Sequence, residues 1–189
     1  MDQRAFWKII DEFVSEDKMD APYFHAELAE RLAEMPPKEL IDFASTMRGE
    51  LNAAFTWDLV GAASLITGGV TDEGFDAFCG WLMAQGSDVF RQAVNHPDSL
   101  ADYLRNYDGD DLFEDDEIIS APMSAYEEKA GSLEGFELHA SRPPLPEGEQ
   151  WDVEDAAEQE ARLPQLYAYY MADDDDEGEA REEGEDDYL

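Results

Sequence analysis

Apolar side chains recur every three or four residues through five stretches of the first 107 residues. This spacing places them on one face of an α-helix, whereas the alternation typical of a half-buried strand is almost absent. The stretches are joined by short connections and cover residues 6–14, 21–35, 36–66, 71–86 and 87–107. The pattern predicts an all-α protein, an irregular bundle of five to seven helices.

The stretch "TGGVTDEGF", which begins at Thr67, is interpreted as a hinge between two packed helices. Its glycines do not have the spacing of a phosphate-binding loop, and no lysine follows them. Gly68 and Gly69 instead fit a helix C-terminus that needs a left-handed residue, and Thr71 or Asp72 fits the N-cap of the next helix.

The character of the chain changes after residue 107. A charged loop is followed by a helical stretch that ends at Gly131, a proline-rich extended linker over 141–152, and a second helical stretch that ends in three tyrosines. Three regions are therefore expected: a helical core over 1–107, a region of loop, linker and docking helices of the same domain over 108–172, and a tail over 173–189. Eleven acidic residues between 173 and 187 predict a disordered tail.

Charge is the extreme feature of the composition. The chain has 48 acidic and 12 basic residues, for a formal net charge of −36. Residues 1–107 hold 19 acids and 8 bases, and residues 108–189 hold 29 acids and 4 bases. Such a surface repels DNA and anionic membranes, so the sequence predicts no direct nucleic-acid or membrane binding and favours a basic protein partner.

Several motifs together are similar to one bacterial family. They are, in order, "AFW", "AFTWDLVGAASLITGG", "TDEGFDAFCGWLMAQG", "HPDSL", "SAYEEKAG" and "LPQLYAYY". The chain resembles the domain of unknown function numbered 4240 over residues 1–170. The resemblance supports the helical fold and does not supply an activity.

A ligand or partner groove is one interpretation of Trp57, Asp58, Asp72 and Trp81. In it, the indole rings line the groove and the carboxylates lie at its rim. The alternative is that the tryptophans pack in the core, and that Asp58 caps a helix or forms an ion pair with Arg48 or Arg91.

A metal site is a further hypothesis for the charged loop. Asp108, Asp110 and Glu117 have part of the spacing of a calcium-binding loop, but the position that needs glycine is occupied by an aspartate, so a solvated acidic loop is the alternative. Cys79 is the only cysteine and is expected to be a buried thiol. No catalytic residues and no cofactor are assigned.

Two functions remain open from the sequence. The first is a non-enzymatic acidic interaction module of regulatory, inhibitor or immunity type, which binds a basic partner and includes the possibility of a nucleic-acid mimic. The second is a small enzyme of unknown reaction, with a pocket near the four groove candidates. The charged N-terminus and single cysteine indicate a cytoplasmic protein, and the sequence does not define its oligomeric state.

Overall fold

The computed structural model describes residues 1–14, 21–107 and 117–171. Residues up to 130 in these ranges form helices joined by short turns, and residues 131–155 form no helix. One short 3-10 helix, Pro97–Ser99, lies between α6 and α7. The α-helices are α1 (Gln3–Asp11), α2 (Ala21–Ala33), α3 (Pro37–Ala54), α4 (Trp57–Thr67), α5 (Asp72–Ala84), α6 (Ser87–Asn95), α7 (Leu100–Leu104), α8 (Glu117–Ala130), α9 (Ala156–Arg162) and α10 (164–171). The all-α prediction is confirmed, with the helical stretches divided into more and shorter helices than expected.

The described residues form one apolar core cluster, to which α1–α8 all contribute together with Trp151, Leu163 and Leu166. Phe6 of α1, Phe43 of α3 and Phe78 of α5 are fully buried, as the three- and four-residue spacing predicts. Helix α8 packs against α2, α3 and α5. Burying these large side chains is the main stabilising contribution to the fold.

The predicted helix over 36–66 is broken at Phe55 and Thr56, where the structure differs from the sequence expectation. Phe55 leaves the helical conformation, with ψ of 76°, and the side chain of Thr56 caps α4 by accepting from the amide of Leu59. The amide of Trp57 donates to the carbonyl of Glu147, and that of Glu147 to the carbonyl of Phe55. Apolar periodicity continues through the break, so it cannot reveal it.

The hinge between α4 and α5 is formed as the sequence predicts. Gly68 adopts the left-handed conformation at the end of α4, with φ of 71°. The side chain of Thr71 accepts a hydrogen bond from the amide of Gly74, 3.0 Å away, and so caps α5.

Asp98 has a different role from the expected one. The sequence predicts that Asp98 or Ser99 caps the helix after Pro97, but neither side chain caps α7. Both carboxylate oxygens of Asp98 instead accept hydrogen bonds from the start of α10, more than sixty residues along the chain.

The last described part of the chain, residues 132–171, is called the arm here. Gly131, with φ of 76°, follows α8 and turns the chain into it. The arm has no helix over 132–155 and ends with α9 and α10. We call the described residues before it the helical domain. The predicted tail over 173–189 lies outside the described residues.

Among the described residues, no helix combines the length and apolar character required to cross a lipid bilayer.

Candidate functional site

The four groove candidates divide between two faces of the helical domain. Trp57 and Asp58 begin α4, and Asp72 begins α5, where all three contact the arm. Trp81 is buried on the side of α5 that faces α7, where its indole donates to the hydroxyl of Tyr107 over 3.2 Å. The structure therefore brings together three of the four residues, and the arm covers the place where they meet.

Asp58 pairs with the arm and not with Arg48 or Arg91, which corrects the sequence expectation. Its Oδ1 accepts a hydrogen bond from Nε1 of Trp151 over 3.1 Å, and Arg162 lies 3.9 Å from the same oxygen. The Asp58 side chain is 58% exposed, so this ion pair contributes little by itself. The indole N–H, which is almost completely removed from water, gains the partner that it needs.

Arg48 and Arg91 are used elsewhere. Arg48 forms an ion pair with Asp76 across α3 and α5, with 3.3 Å between the atoms. The Arg91 guanidinium lies over the ring of Trp7, 5.6 Å from its centre. Neither contact has a sequence signature, because the partners lie on different helices.

Arg142 is the main charged contact of the arm. Its guanidinium lies over the ring of Phe55 at 4.3 Å and forms ion pairs with Asp76 at 3.2 Å and Asp72 at 3.5 Å. It also donates to the backbone carbonyl of Asp72 over 3.1 Å. Arg142 and Asp76 are each only 25% exposed, so this ion pair is partly shielded from water, whereas Asp72 is 84% exposed.

Trp151 is the main apolar contact of the arm. It is 6% exposed and lies against Gly61 of α4, where a Cβ would overlap the six-membered part of the indole ring. The Arg162 guanidinium also lies over this ring, 5.4 Å from its centre. The missing side chain of Gly61 therefore leaves the space that the indole ring occupies.

We call the covered face the groove. It is formed by Asn52, Phe55, Asp58, Gly61, Asp72 and Asp76. Sequence analysis identified Asp58 and Asp72 but missed the others, and it missed their partners in the arm. The available signal was one tryptophan and one arginine in an otherwise proline-rich, acidic segment.

Three buried polar atoms have no hydrogen-bond partner among the described residues: Oε1 of Glu50, Oδ1 of Asn52 and Nη2 of Arg142. The last two lie where the arm meets the groove, since the amide nitrogen of Asn52 donates to the carbonyl of Ser141. Nη2 of Arg142 is within ion-pair distance of Asp72 without hydrogen-bond geometry. The polar contacts between arm and groove are thus incompletely satisfied.

Cys79 lies on α5, one turn after Asp76, and is fully buried. Burial raises the pKa of its thiol well above the usual range, and the nearby charge of Asp76 raises this pKa further. Arg48 and Arg142 act in the opposite direction and do not overcome burial. The group is a neutral thiol at physiological pH, as expected from the sequence, and not an activated nucleophile.

Two cavities lined by described residues lie away from the groove. An open cleft of about 700 Å³ between α1 and α6 is lined by Arg4, Lys8 and Arg91 together with Asp11 and Glu12. A smaller cavity of about 330 Å³ between α6 and α7 is lined in part by Tyr103 and Tyr107. Neither cavity is lined by residues of the arm, in contrast to the groove.

Of the three residues of the metal hypothesis, only Glu117 belongs to the described residues. Asp108 and Asp110 lie outside the described residues, and Glu117 is an exposed residue at the start of α8. Within the described ranges, no group of three or more histidine, cysteine, aspartate or glutamate side chains has an arrangement that would hold a metal ion.

The fold and the groove define an all-α domain with an arm docked across one face. Residues 1–128 match the model of a family described as "Protein of unknown function (DUF4240)". The chain belongs to this family, as its motifs indicate. The match ends within α8, earlier than the predicted residue 170, so the arm lies outside it. Neither the curated proteins nor the solved structures give a match.

Proposed function

We propose that this protein is a non-enzymatic interaction module, of regulatory, inhibitor or immunity type, that binds a basic protein partner. The observation that supports it best is the distribution of charge on the arm. The arm has nine carboxylates and two arginines, and all the carboxylates except that of Glu158 belong to exposed residues. A partner that approaches this side of the molecule meets acidic groups first.

The two arginines of the arm offset only part of that negative charge. Arg142 is bound to Asp72 and Asp76 of the helical domain. Arg162, which is 28% exposed, lies over the ring of Trp151 and pairs with Asp58 and with Glu149 and Glu158 of the arm. The outward carboxylates are left to attract cations at long range, which speeds encounter with a basic protein.

The small-enzyme alternative gains no support from these contacts. Asp58 and Asp72 have different arginine partners, and their side chains are 58% and 84% exposed. A catalytic carboxylate typically lies in a pocket that perturbs its protonation. We also infer a cytoplasmic location in a bacterium, in line with the single cysteine and the family resemblance.

A pull-down with two matched variants tests the proposal. The arm variant carries Glu137→Gln, Glu154→Gln and Glu160→Gln, and the control carries Glu30→Gln, Glu34→Gln and Glu39→Gln on the helical domain. All six residues are exposed, and both variants remove three charges. Each full-length protein is immobilised on beads and incubated with a lysate of its source organism at 50 mM NaCl. The proteins that are retained at 50 mM NaCl and released at 500 mM NaCl are then identified.

We expect the wild type to retain one or a few basic proteins that high salt releases. The arm variant should retain several-fold less of them, and the control should retain nearly as much as the wild type. If no retained protein is basic and salt-sensitive, or if both variants lose it equally, the proposed function is wrong.

A further inference from the structure

We propose that the groove is a peptide-binding site that the arm occupies in cis, and that an extended basic segment of the partner, containing a tryptophan, displaces it. This inference rests on the proposed function and deepens it, because it gives the place where the basic partner binds. The arm then acts as a tethered competitor, which the partner has to displace.

The first observation is the fit between Gly61 and Trp151. Gly61 belongs to the matched family region, and the ring that fills the space beside it comes from outside that region. Beside Gly61 the helical domain therefore leaves a recess, and an aromatic ring of the arm fills it as part of the common apolar core. Asp58, at the edge of the recess, accepts the hydrogen bond of the indole.

The second observation is the charge of the groove. Asp58, Asp72 and Asp76 all direct carboxylate oxygens at donors of the arm, and Phe55 provides the face on which Arg142 lies. A cation on an aromatic ring between two carboxylates is a recognition site for an arginine side chain. The groove thus selects a segment with an arginine and, nine residues later, a tryptophan.

The third observation is the backbone pairing between the two features. The chain around Phe55 and Trp57 leaves its helical conformation and exchanges two backbone hydrogen bonds with Glu147, of 2.8 and 3.0 Å. These bonds, which form an isolated parallel bridge, do not depend on the side chain at position 147. Pairing of this kind accepts an extended peptide of varied sequence, with the specificity set by side-chain pockets on either side.

The fourth observation is that the arm is an imperfect occupant. It has nine carboxylates against two arginines, yet it lies on a chain whose formal net charge is −36. A segment that keeps the inward arginine and tryptophan but has lysines at the outward positions would be attracted by the acidic chain, whereas the carboxylates of the arm are repelled by it.

An exchange experiment on the folded full-length chain tests this inference. A protease site is inserted between Leu133 and Glu134, which are exposed residues after α8, and the purified protein is cleaved there. The probe is a fluorescent peptide of residues 136–155 in which Glu137, Glu149, Asp152 and Glu154 are replaced by lysine. The control peptide also carries Arg142→Ala and Trp151→Ala, and binding is followed by fluorescence anisotropy and gel filtration.

The probe should bind the cleaved protein saturably and release the arm fragment, and the control peptide should bind at least tenfold more weakly. The uncleaved chain should bind the probe at least tenfold more weakly than the cleaved chain, because a tethered arm competes at an effective concentration in the millimolar range. Asp72→Asn with Asp76→Asn in the cleaved protein should reduce probe affinity at least tenfold.

Three results would overturn the inference. They are equal binding of probe and control peptide, unfolding of the helical domain when the arm fragment leaves, and exchange of arms between two copies in preference to probe binding. The pull-down separates this failure from that of the proposed function. If a basic partner is retained there while the probe does not bind, the function stands and the groove is not its site.

Discussion

Gly61 shows how a single position couples the helical domain to the arm. In most helix interiors glycine is less favourable than alanine by about 0.5–1 kcal/mol. Here the missing side chain leaves the space that the indole of Trp151 fills. The stability of α4 by itself therefore favours alanine at position 61, whereas the docking of the arm requires glycine.

Gly61→Ala is expected to lower the free energy of unfolding by about 1–3 kcal/mol, the usual effect of overpacking, because the new methyl group overlaps Trp151. The double variant Gly61→Ala with Trp151→Leu should lose less free energy of unfolding than the sum of the losses of the two single variants, because leucine leaves space for the new methyl group. Urea denaturation measures all three.

Gly49→Ala is the matched control, since Gly49 lies within α3 and a Cβ there would have no neighbour within 4 Å. It should stabilise the protein by about 0.5–1 kcal/mol. A Gly61→Ala protein as stable as the wild type would show that Trp151 does not rest on this glycine in solution.

Because the thiol of Cys79 is buried, we expect the protein to lose stability at alkaline pH. Burial raises the pKa of its thiol above the ordinary value of 9.0 in the folded state, so the folded protein holds this proton more tightly than the unfolded chain. The stabilisation that this raised pKa provides is complete below pH 9. Above pH 9 the free energy of unfolding falls by up to about 1.4 kcal/mol per pH unit.

Urea denaturation between pH 8 and pH 10.5 checks this, with Cys79→Ala as the comparison. The variant should lose less stability than the wild type between pH 9 and pH 10. Burial also raises the pKa of Tyr103, so Tyr103→Phe should reduce the decline only above pH 10. Parallel curves for wild type and Cys79→Ala would contradict the assignment of a buried neutral thiol.

At the scale of elements, Asp98 joins α10 to the helical domain. Its Oδ1 accepts from the amides of Gln165 and Leu166, and its Oδ2 accepts from the side chain of Gln165, over 2.9 to 3.0 Å. A residue of the "HPDSL" motif thus caps a helix of the arm. The contact satisfies amides at the start of α10 that have no partner within that helix.

Asp98→Ala is expected to destabilise the docked α10 by about 1–2 kcal/mol, the usual cost of losing a cap. Hydrogen exchange followed by mass spectrometry should show faster exchange in residues 163–171 and little change in α3 and α5. Asp88→Ala is the control, because the Asp88 side chain is fully exposed and pairs with Arg91 of the same helix, α6. Equal exchange in the two variants would show that Asp98 does not hold α10.

The sequence predicts the helices much better than it predicts how the arm docks. Apolar periodicity, the left-handed position at Gly68 and the cap at Thr71 are local signals that lie within a few residues of their effect. The break at Phe55 depends on a partner at Glu147, and no local signal marks it. The structure also shows that "HPDSL" serves a helix almost seventy residues later, which spacing could not reveal.

For the same reason, the sequence predicts only part of the groove. Asp58 and Asp72 stood out as carboxylates beside apolar helical stretches. Arg142 and Trp151 lie in an extended, proline-rich segment with no periodicity, and they reach the groove across a sequence distance of 66 to 93 residues. Pairing across such distances is a property of the folded chain and has no pattern in a single sequence.

At the scale of the whole molecule, excess negative charge opposes folding. The formal net charge of −36 makes the compact state repel itself. Most ion pairs of the described residues have at least one exposed partner and contribute little, whereas the pair of Arg142 and Asp76 is partly shielded from water. Screening should therefore weaken repulsion across the molecule more than it weakens the docking of the arm.

Raising NaCl from 10 to 150 mM, which shortens the Debye length from about 30 to about 8 Å, is expected to raise the thermal midpoint by several degrees. Differential scanning calorimetry measures the shift, and KCl at the same ionic strength should produce an equal one. A midpoint that falls with salt would mean that attractive ion pairs outweigh the repulsion.

Trp151 gives the molecule an optical signal for the position of its own arm. Three of the four tryptophans belong to the helical domain, and only Trp151 lies on the arm, 6% exposed beneath the Arg162 guanidinium. When the arm leaves the groove this indole enters water, and its emission moves to longer wavelength. The Trp151→Phe protein supplies the spectrum to subtract, so that any ligand that displaces the arm can be detected in solution without a label.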